Sequence, residues 1–286
     1  MKKHLGLFLI ASLLFFSCTT NSQISDSLHK EKSFLNFDSP SSVSPEWHFL
    51  NSYSYSFDFI ISKPRAICHA IKIDLTDPHL KITSYPPVTS FPIKDIKPEF
   101  LAKNNDIVIN TVPYAQKIKP FTKKNPVGIL STIPLEFSKP LERYCAFWIY
   151  SVPDGYRCKI EQTQTAITDE KENNLYCVHG GFWQIIKDGE HIDFEDIKDS
   201  RTAVGISKDE KILYILIVEG EKKSVSKGLS YGECADIFDR LGAFNAMQFD
   251  GGSSTTLYVN GKNALSYPKN TRLPAFLGFQ TTKFDK

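Results

Sequence analysis

Phe244-Asn245-Ala246-Met247-Gln248-Phe249-Asp250-Gly251-Gly252-Ser253-Ser254 reads as a short apolar strand that runs out into a carboxylate and four small residues. Glycine lets a backbone come close to a ligand, and the serine hydroxyls and turn N–H groups suit anionic oxygens. The plainer alternative is a tight turn that Asp250 merely caps. Just upstream, Ser230-Tyr231-Gly232-Glu233 has the spacing of a capping box. Cys234, Ile237, Phe238 and Leu241 then recur at helical period, with Gly242 as a stop signal. The spacing predicts a helix over about 230–241, between an apolar strand at 212–218 and the strand that ends at Asp250. Such a crossover gives parallel neighbours in one sheet, with their carboxyl ends on one edge. Glu219 and Asp250 are expected at that edge.

Arg201 arrives by a separate count. Residues 201–206 read as a strand, and Ser207-Lys208-Asp209-Glu210 as a polar turn into the next one, which predicts an antiparallel hairpin. Counting back from the turn sets Arg201 opposite a residue near Ile217, hence close to Glu219. A guanidinium that forks onto two oxygens, beside two carboxylates and a glycine-rich turn, suits a phosphate-bearing substrate. Its plainer role is an ion pair with Glu219. Glu233 is set aside because its capping duty accounts for it.

These stretches carry a family resemblance. Ser200-Arg201-Thr202-Ala203-Val204-Gly205-Ile206, the helix running into Leu241-Gly242-Ala243, and Gln248-Phe249-Asp250-Gly251-Gly252-Ser253-Ser254 resemble the phosphodiester glycosidase family. Ile71-Lys72-Ile73-Asp74-Leu75-Thr76-Asp77-Pro78 resembles its opening strand and Arg272 its late arginine, so the likeness spans about residues 55–286. One departure stands out: where the family has Asn-Gly-Gly-Phe-Phe, this chain has Asn110-Thr111-Val112-Pro113-Tyr114, without the glycines. His179-Gly180-Gly181-Phe182-Trp183 looks like that motif but lies just before the Arg-Thr strand, where the family has a glycine-rich hairpin.

The resemblance implies a hydrolase that releases a sugar resembling N-acetylglucosamine from a phosphodiester at the anomeric carbon, without cofactor or metal. Asp250 is then the reacting carboxylate and Glu219 the second. Arg201 holds the phosphate, Thr202 and Asn110 orient phosphate or sugar, and Gly251, Gly252 and Ser253 contact the substrate. The substrate is a small glycan phosphodiester or an envelope polymer. A competing reading, which the altered Asn110 loop supports, is a surface protein that binds such ligands and has lost the reaction. Chemistry at phosphorus is weaker still, because no metal cluster or nucleophilic Ser/His arrangement is visible.

With 286 residues, 41% of them hydrophobic, the chain can bury one large core, and no second domain is indicated. Lys2 and Lys3 precede an apolar run ending at Ser17-Cys18, the pattern of an export signal over 1–17 with a bacterial lipoprotein cleavage site. Acylated Cys18 would anchor the chain in a membrane facing periplasm or cell surface, with residues 18–54 as a flexible tether and 55–286 as the domain. Lys+Arg 34 against Asp+Glu 32 falls to parity once Lys2 and Lys3 are removed, which argues against nucleic acid as a partner. Lysines that include Lys81, Lys94 and Lys124 crowd the N-terminal half and read as solvated surface, with attraction of anionic glycans as the alternative. Cys68, Cys145, Cys158, Cys177 and Cys234 remain. Cys158 should lie opposite Ile149, out of reach of Cys145, and Cys68 and Cys234 read as packed thiols. His179 is expected to be a hairpin residue rather than a ligand. Short strands separated by turns, with a weak second helix at 97–104, predict an α+β fold on a mixed, largely antiparallel sheet. Residues 120–140, with four prolines, resist assignment.

Overall fold

The computed structural model describes residues 34–89, 92–115 and 123–282. The helix spans Tyr231–Leu241. Glu233 N–H reaches the Ser230 hydroxyl at 3.3 Å, and Ser230 N–H reaches the Glu233 carboxylate at 2.8 Å, so two of the helix's unpaired donors are satisfied together. Gly242 closes it at φ +95°, a left-handed conformation that costs a glycine little. Strands Arg201–Ile206 and Ile212–Val218 pair antiparallel, with Arg201 opposite Val218. Strand Asn245–Gln248 ends just short of Asp250.

The crossover keeps its handed logic with one correction. Ile212–Val218 and Asn245–Gln248 are parallel but not adjacent, because Arg201–Ile206 lies between them, antiparallel to both. A hairpin closes on its nearest partner first, so the helix returns the chain to the free edge of the Arg201 strand. The carboxyl ends of the two outer strands and the start of the middle one still share an edge, and Glu219, Asp250 and Arg201 all stand there.

These strands belong to a nine-stranded, largely antiparallel sheet. Two five-stranded sheets, one containing Ile107–Asn110 and the other Leu175–Gly180, contribute to the core against one of its faces. Ile71, Ile73, Val204, Ile215, Ile217 and Met247 point into that core, while Ala70, Ala203, Leu216 and Val218 face the helix residues Cys234, Ile237 and Phe238. The central strands are therefore apolar on both faces, which is why they read as runs without alternation. Side chains change face at every residue along them.

One further expectation needs correcting. Residues 34–54 were assigned to the tether, yet Leu35–Phe37 pairs parallel with Ser54–Ser62, and His48–Asn51 pairs antiparallel with it. Phe37 and Trp47 pack on Phe57, so this segment buries apolar surface that a tether would leave in water. Signal segment 1–17, Cys18 and the tether up to residue 33 lie outside the described residues. Leu175–Gly180 and Gln184–Lys187 follow closely in the chain but lie in different sheets. The chain passes between them at Gly181, where an added Cβ would stand 2.4 Å from the Gln248 carbonyl oxygen. Cys158 does lie opposite Ile149, and the five described cysteines are buried free thiols.

Candidate active site

Asp250 sits on a turn held from several directions. Its N–H donates to Thr111 O at 2.8 Å, and its carbonyl accepts from Asn110 Nδ2 at 2.7 Å. Phe249 N–H donates to Thr202 O, and Gly252 N–H to Ser200 O at 3.0 Å. Asn110 Oδ1 accepts from the Thr202 hydroxyl at 2.7 Å and from Thr256 N–H at 2.9 Å. Asn110 and Thr202 are fully buried, so they brace the turn rather than face a ligand. An added Cβ on Gly251 would lie 2.5 Å from Ser200 O, which explains the glycine sterically. The turn's amides, expected to hold anionic oxygens, are in good part spent inside the protein.

Charge for an anion comes instead from side chains. A cavity of about 410 Å³ is lined by Asp250, Gly251, Gly252, Ser253, Ser254, Arg201 and Asp199, with Tyr114, Phe182 and Tyr231 as aromatic walls. Arg201 Nε donates to Leu229 O at 2.9 Å and Nη2 to Ile197 O, and the guanidinium lies 4.3 Å over the Tyr231 ring. Its position at the cavity is fixed while Nη1 has no protein partner among the described residues. Burial pushes the Asp250 carboxyl up to about 6, against the opposing pull of the Ser254 hydroxyl and of Lys124 and Lys269. Burial likewise draws the Lys269 ammonium down to about 8, with Glu221 and Asp250 resisting. Lys124 Nζ donates to Arg272 O at 2.7 Å and lies 4.2 Å over Tyr114. Lys124, read from sequence as surface, and Lys269, not singled out at all, are thus the cations beside the carboxylate.

Glu219 corrects the expected convergence. It reaches the right edge but on the other face, since Arg201 opposes Val218 and Glu219 follows one residue later. There it is buried, accepting from His69 Nε2 at 3.0 Å, Ser266 N–H at 2.8 Å and the Ser266 hydroxyl. His69 Nδ1 meets Asp58 at 2.7 Å. Burial raises the Glu219 carboxyl, but the His69 and Ser266 hydrogen bonds outweigh that and leave it lowered. Burial lowers His69, yet its two carboxylate partners leave it raised. Glu219 lines no part of the Asp250 cavity; the second carboxylate there is Asp199.

His179 is a strand residue that bridges the hydroxyls of Thr111, at 2.8 Å, and Ser84, at 2.9 Å. Burial pulls its imidazole down to about 3, so it stays neutral as a brace. Among the described residues no group of His, Cys, Asp and Glu has the arrangement to hold a metal ion. A larger hollow, about 880 Å³, lies against Lys81, Lys103 and Thr282, but its carboxylate Asp106 is engaged by Tyr53 and Thr281.

A partly buried carboxylate and three cations, gathered where the strands of a mixed sheet end, give this edge the charges to bind an anionic small molecule. Residues 153–279, which hold Arg201, the helix and Asp250, match the phosphodiester glycosidase family. The chain's fold is similar to that of a Synechocystis hypothetical protein (TM-score 0.59, 14% identity, 84% of this chain and 64% of that one). It is also similar to the zebrafish N-acetylglucosamine-1-phosphodiester alpha-N-acetylglucosaminidase catalytic domain auto-inhibited by its pro-peptide (TM-score 0.57, 18% identity, 84% of this chain and 89% of that one). A Burkholderia pseudomallei protein described as exported is similar over 76% of this chain and 74% of its own (TM-score 0.57, 12% identity). The chain thus spans just under two thirds of the Synechocystis protein. No curated protein matches it in sequence.

Proposed function

We propose that the protein hydrolyses the bond between the anomeric carbon of an N-acetylglucosamine-like sugar and a phosphodiester. The observation that carries this reading is the placement of Asp250 in one cavity with Arg201, and beside Lys124 and Lys269. A carboxylate can act at the anomeric carbon while cations take the charge of the departing phosphate. A phosphodiester oxygen leaves as a weak base and needs little protonation, so Asp250 acts in its ionised form, drawing a proton from the attacking water. Water's oxygen bonds to the anomeric carbon, and the C–O bond's electron pair leaves with the phosphate. The products are free sugar and a phosphomonoester that keeps its alcohol. Arg201 and Lys269 hold the phosphate; Gly251, Gly252 and Ser253 shape the floor; Asn110 and Thr202 hold the turn; Glu219 acts at a distance, by fixing its sheet edge.

The test incubates the full chain with methyl N-acetylglucosamine-1-phosphate and assays sugar and inorganic phosphate together. Sugar without inorganic phosphate is expected, with turnover lowered at least about a hundredfold in Asp250→Asn. Sugar-1-phosphate as product, label in methyl phosphate when the reaction is run in oxygen-18 water, or wild-type turnover in that variant, would overturn the assignment. Saturable binding with no sugar release would favour the reading as a binding protein. That reading rested on the altered Asn110 loop, yet Asn110 keeps its bonds to Asp250 and Thr202. We further propose that the chain works outside the cytoplasm, tethered through acylated Cys18. The export pattern supports this, and loss of membrane fractionation in Cys18→Ala would test it.

A further inference from the structure

Next to the Asp250 cavity lies a second hollow of about 360 Å³, lined by Trp183, Phe194, Glu195, Ile197, Arg201 and Tyr231. The two share Arg201 and Tyr231, so the stacked guanidinium stands at their junction. Their chemistry differs. The first presents carboxylates, serines and glycine backbone, which suits sugar hydroxyls; the second is aromatic and aliphatic. Its wall is fixed by ring contacts, with Trp183 and Phe194 6.3 Å apart and Phe194 and Tyr231 5.2 Å apart at right angles. Ile197 is 61% exposed and Trp183 38%, although the Ile197 backbone is held by Arg201 and Glu195. Large apolar side chains held rigidly in water beside a polar site mark a place where an apolar group docks.

We propose that this hollow seats the alcohol half of the phosphodiester, and that the preferred substrates carry an alkyl or aryl group on phosphate. The inference rests on the function proposed above. A phosphodiester has two arms, and phosphate on Arg201 directs one into each cavity. Only the sugar arm needs the carboxylate, so it takes the polar side. Glu195 at the rim of the other side opposes a further anion, which excludes a second phosphate there.

The experiment compares methyl and octyl esters of N-acetylglucosamine-1-phosphate, below micelle-forming concentration, on the full chain. The octyl ester should show kcat/KM at least about tenfold higher, mainly through KM. In Trp183→Ala, and separately in the surface variant Ile197→Ser, the octyl-to-methyl ratio should fall to within about twofold. Equal kcat/KM for the two esters in the wild type, or a ratio that survives both substitutions, overturns the proposal. If neither ester is cleaved, the functional reading has failed and the hollow is still decided by calorimetry with octyl phosphate and methyl phosphate. At least about tenfold tighter binding of octyl phosphate, lost in Trp183→Ala, supports it; equal affinities overturn it.

Discussion

At Asp250 two influences of opposite sign act on one carboxyl group. Burial lifts it from 3.8 to about 6, while Ser254, Lys124 and Lys269 limit the rise. If the ionised form reacts, kcat/KM should climb with pH through about 6 and level off above it; a rate that falls through this range would make Asp250 an acid instead. The same shift has a consequence for stability. A carboxyl raised in the folded state contributes most when protonated, below its unfolded value, and loses that contribution as pH rises through the folded value. Asp250→Asn should therefore stabilise the protein at pH 7 by about 1–3 kcal/mol and by much less at pH 4. Urea unfolding at the two pH values measures the difference, and a destabilised variant at pH 7 would mean that the charge is better solvated than its surroundings suggest.

The Asp250 turn and the helix before it show what local residues determine and where they stop. Gly251 is constrained by its neighbour rather than by backbone angle: its φ is −111°, which any residue adopts, but a Cβ would press on Ser200 O at 2.5 Å. Gly251→Ala should cost about 1–3 kcal/mol of stability through overpacking and displace the carboxylate, with a larger loss of turnover than of melting temperature. Gly232→Ala is the matched control, since nothing lies within 4 Å of its added Cβ. It should leave activity intact and stabilise the helix by about 0.5 kcal/mol, and a thermal melt would read both changes. The capping box, the helix face and the Gly242 stop were all legible because each depends on residues within a few positions. Glu219 was legible only as a place on an edge. Which face it occupies follows from strand parity against Arg201, and a count good to one residue cannot settle parity.

Across the whole molecule, Asp58, His69, Glu219 and Ser266 tie three neighbouring strands to a loop near the C-terminal end of the chain. The Glu219 carboxyl is held low, so its contribution is present above its ordinary 4.5 and is lost as pH falls through the lowered value. His69 is held high, so its contribution is present below its ordinary 6.5 and is lost as pH rises through the raised value. Together they should add most between those two ordinary values. Glu219→Ala strands His69 and Ser266 and should cost about 3–5 kcal/mol. Denaturant midpoints measured from pH 4 to 8 should show a broad maximum in the wild type that Glu219→Gln flattens; a curve of unchanged shape in that variant would remove the network from the stability of the fold.

Strand runs, the capped helix, the hairpin and the glycine turn were set by the sequence itself, because apolar periodicity and hydrogen-bonding side chains act over short chain distances. So was the meeting of Arg201 and Asp250 at one edge, since a hairpin and a crossover leave few alternatives. Tertiary structure alone decided the rest. It brought Lys124 and Lys269 to the carboxylate from distant parts of the chain, put Asp199 where Glu219 was expected, and turned Asn110 and Thr202 inward as braces. It also folded residues 34–54 onto the sheet and opened an aromatic hollow beside the polar one. These outcomes depend on how three sheets stack and which faces they bury, and burial is a property of the packed whole that no local stretch encodes.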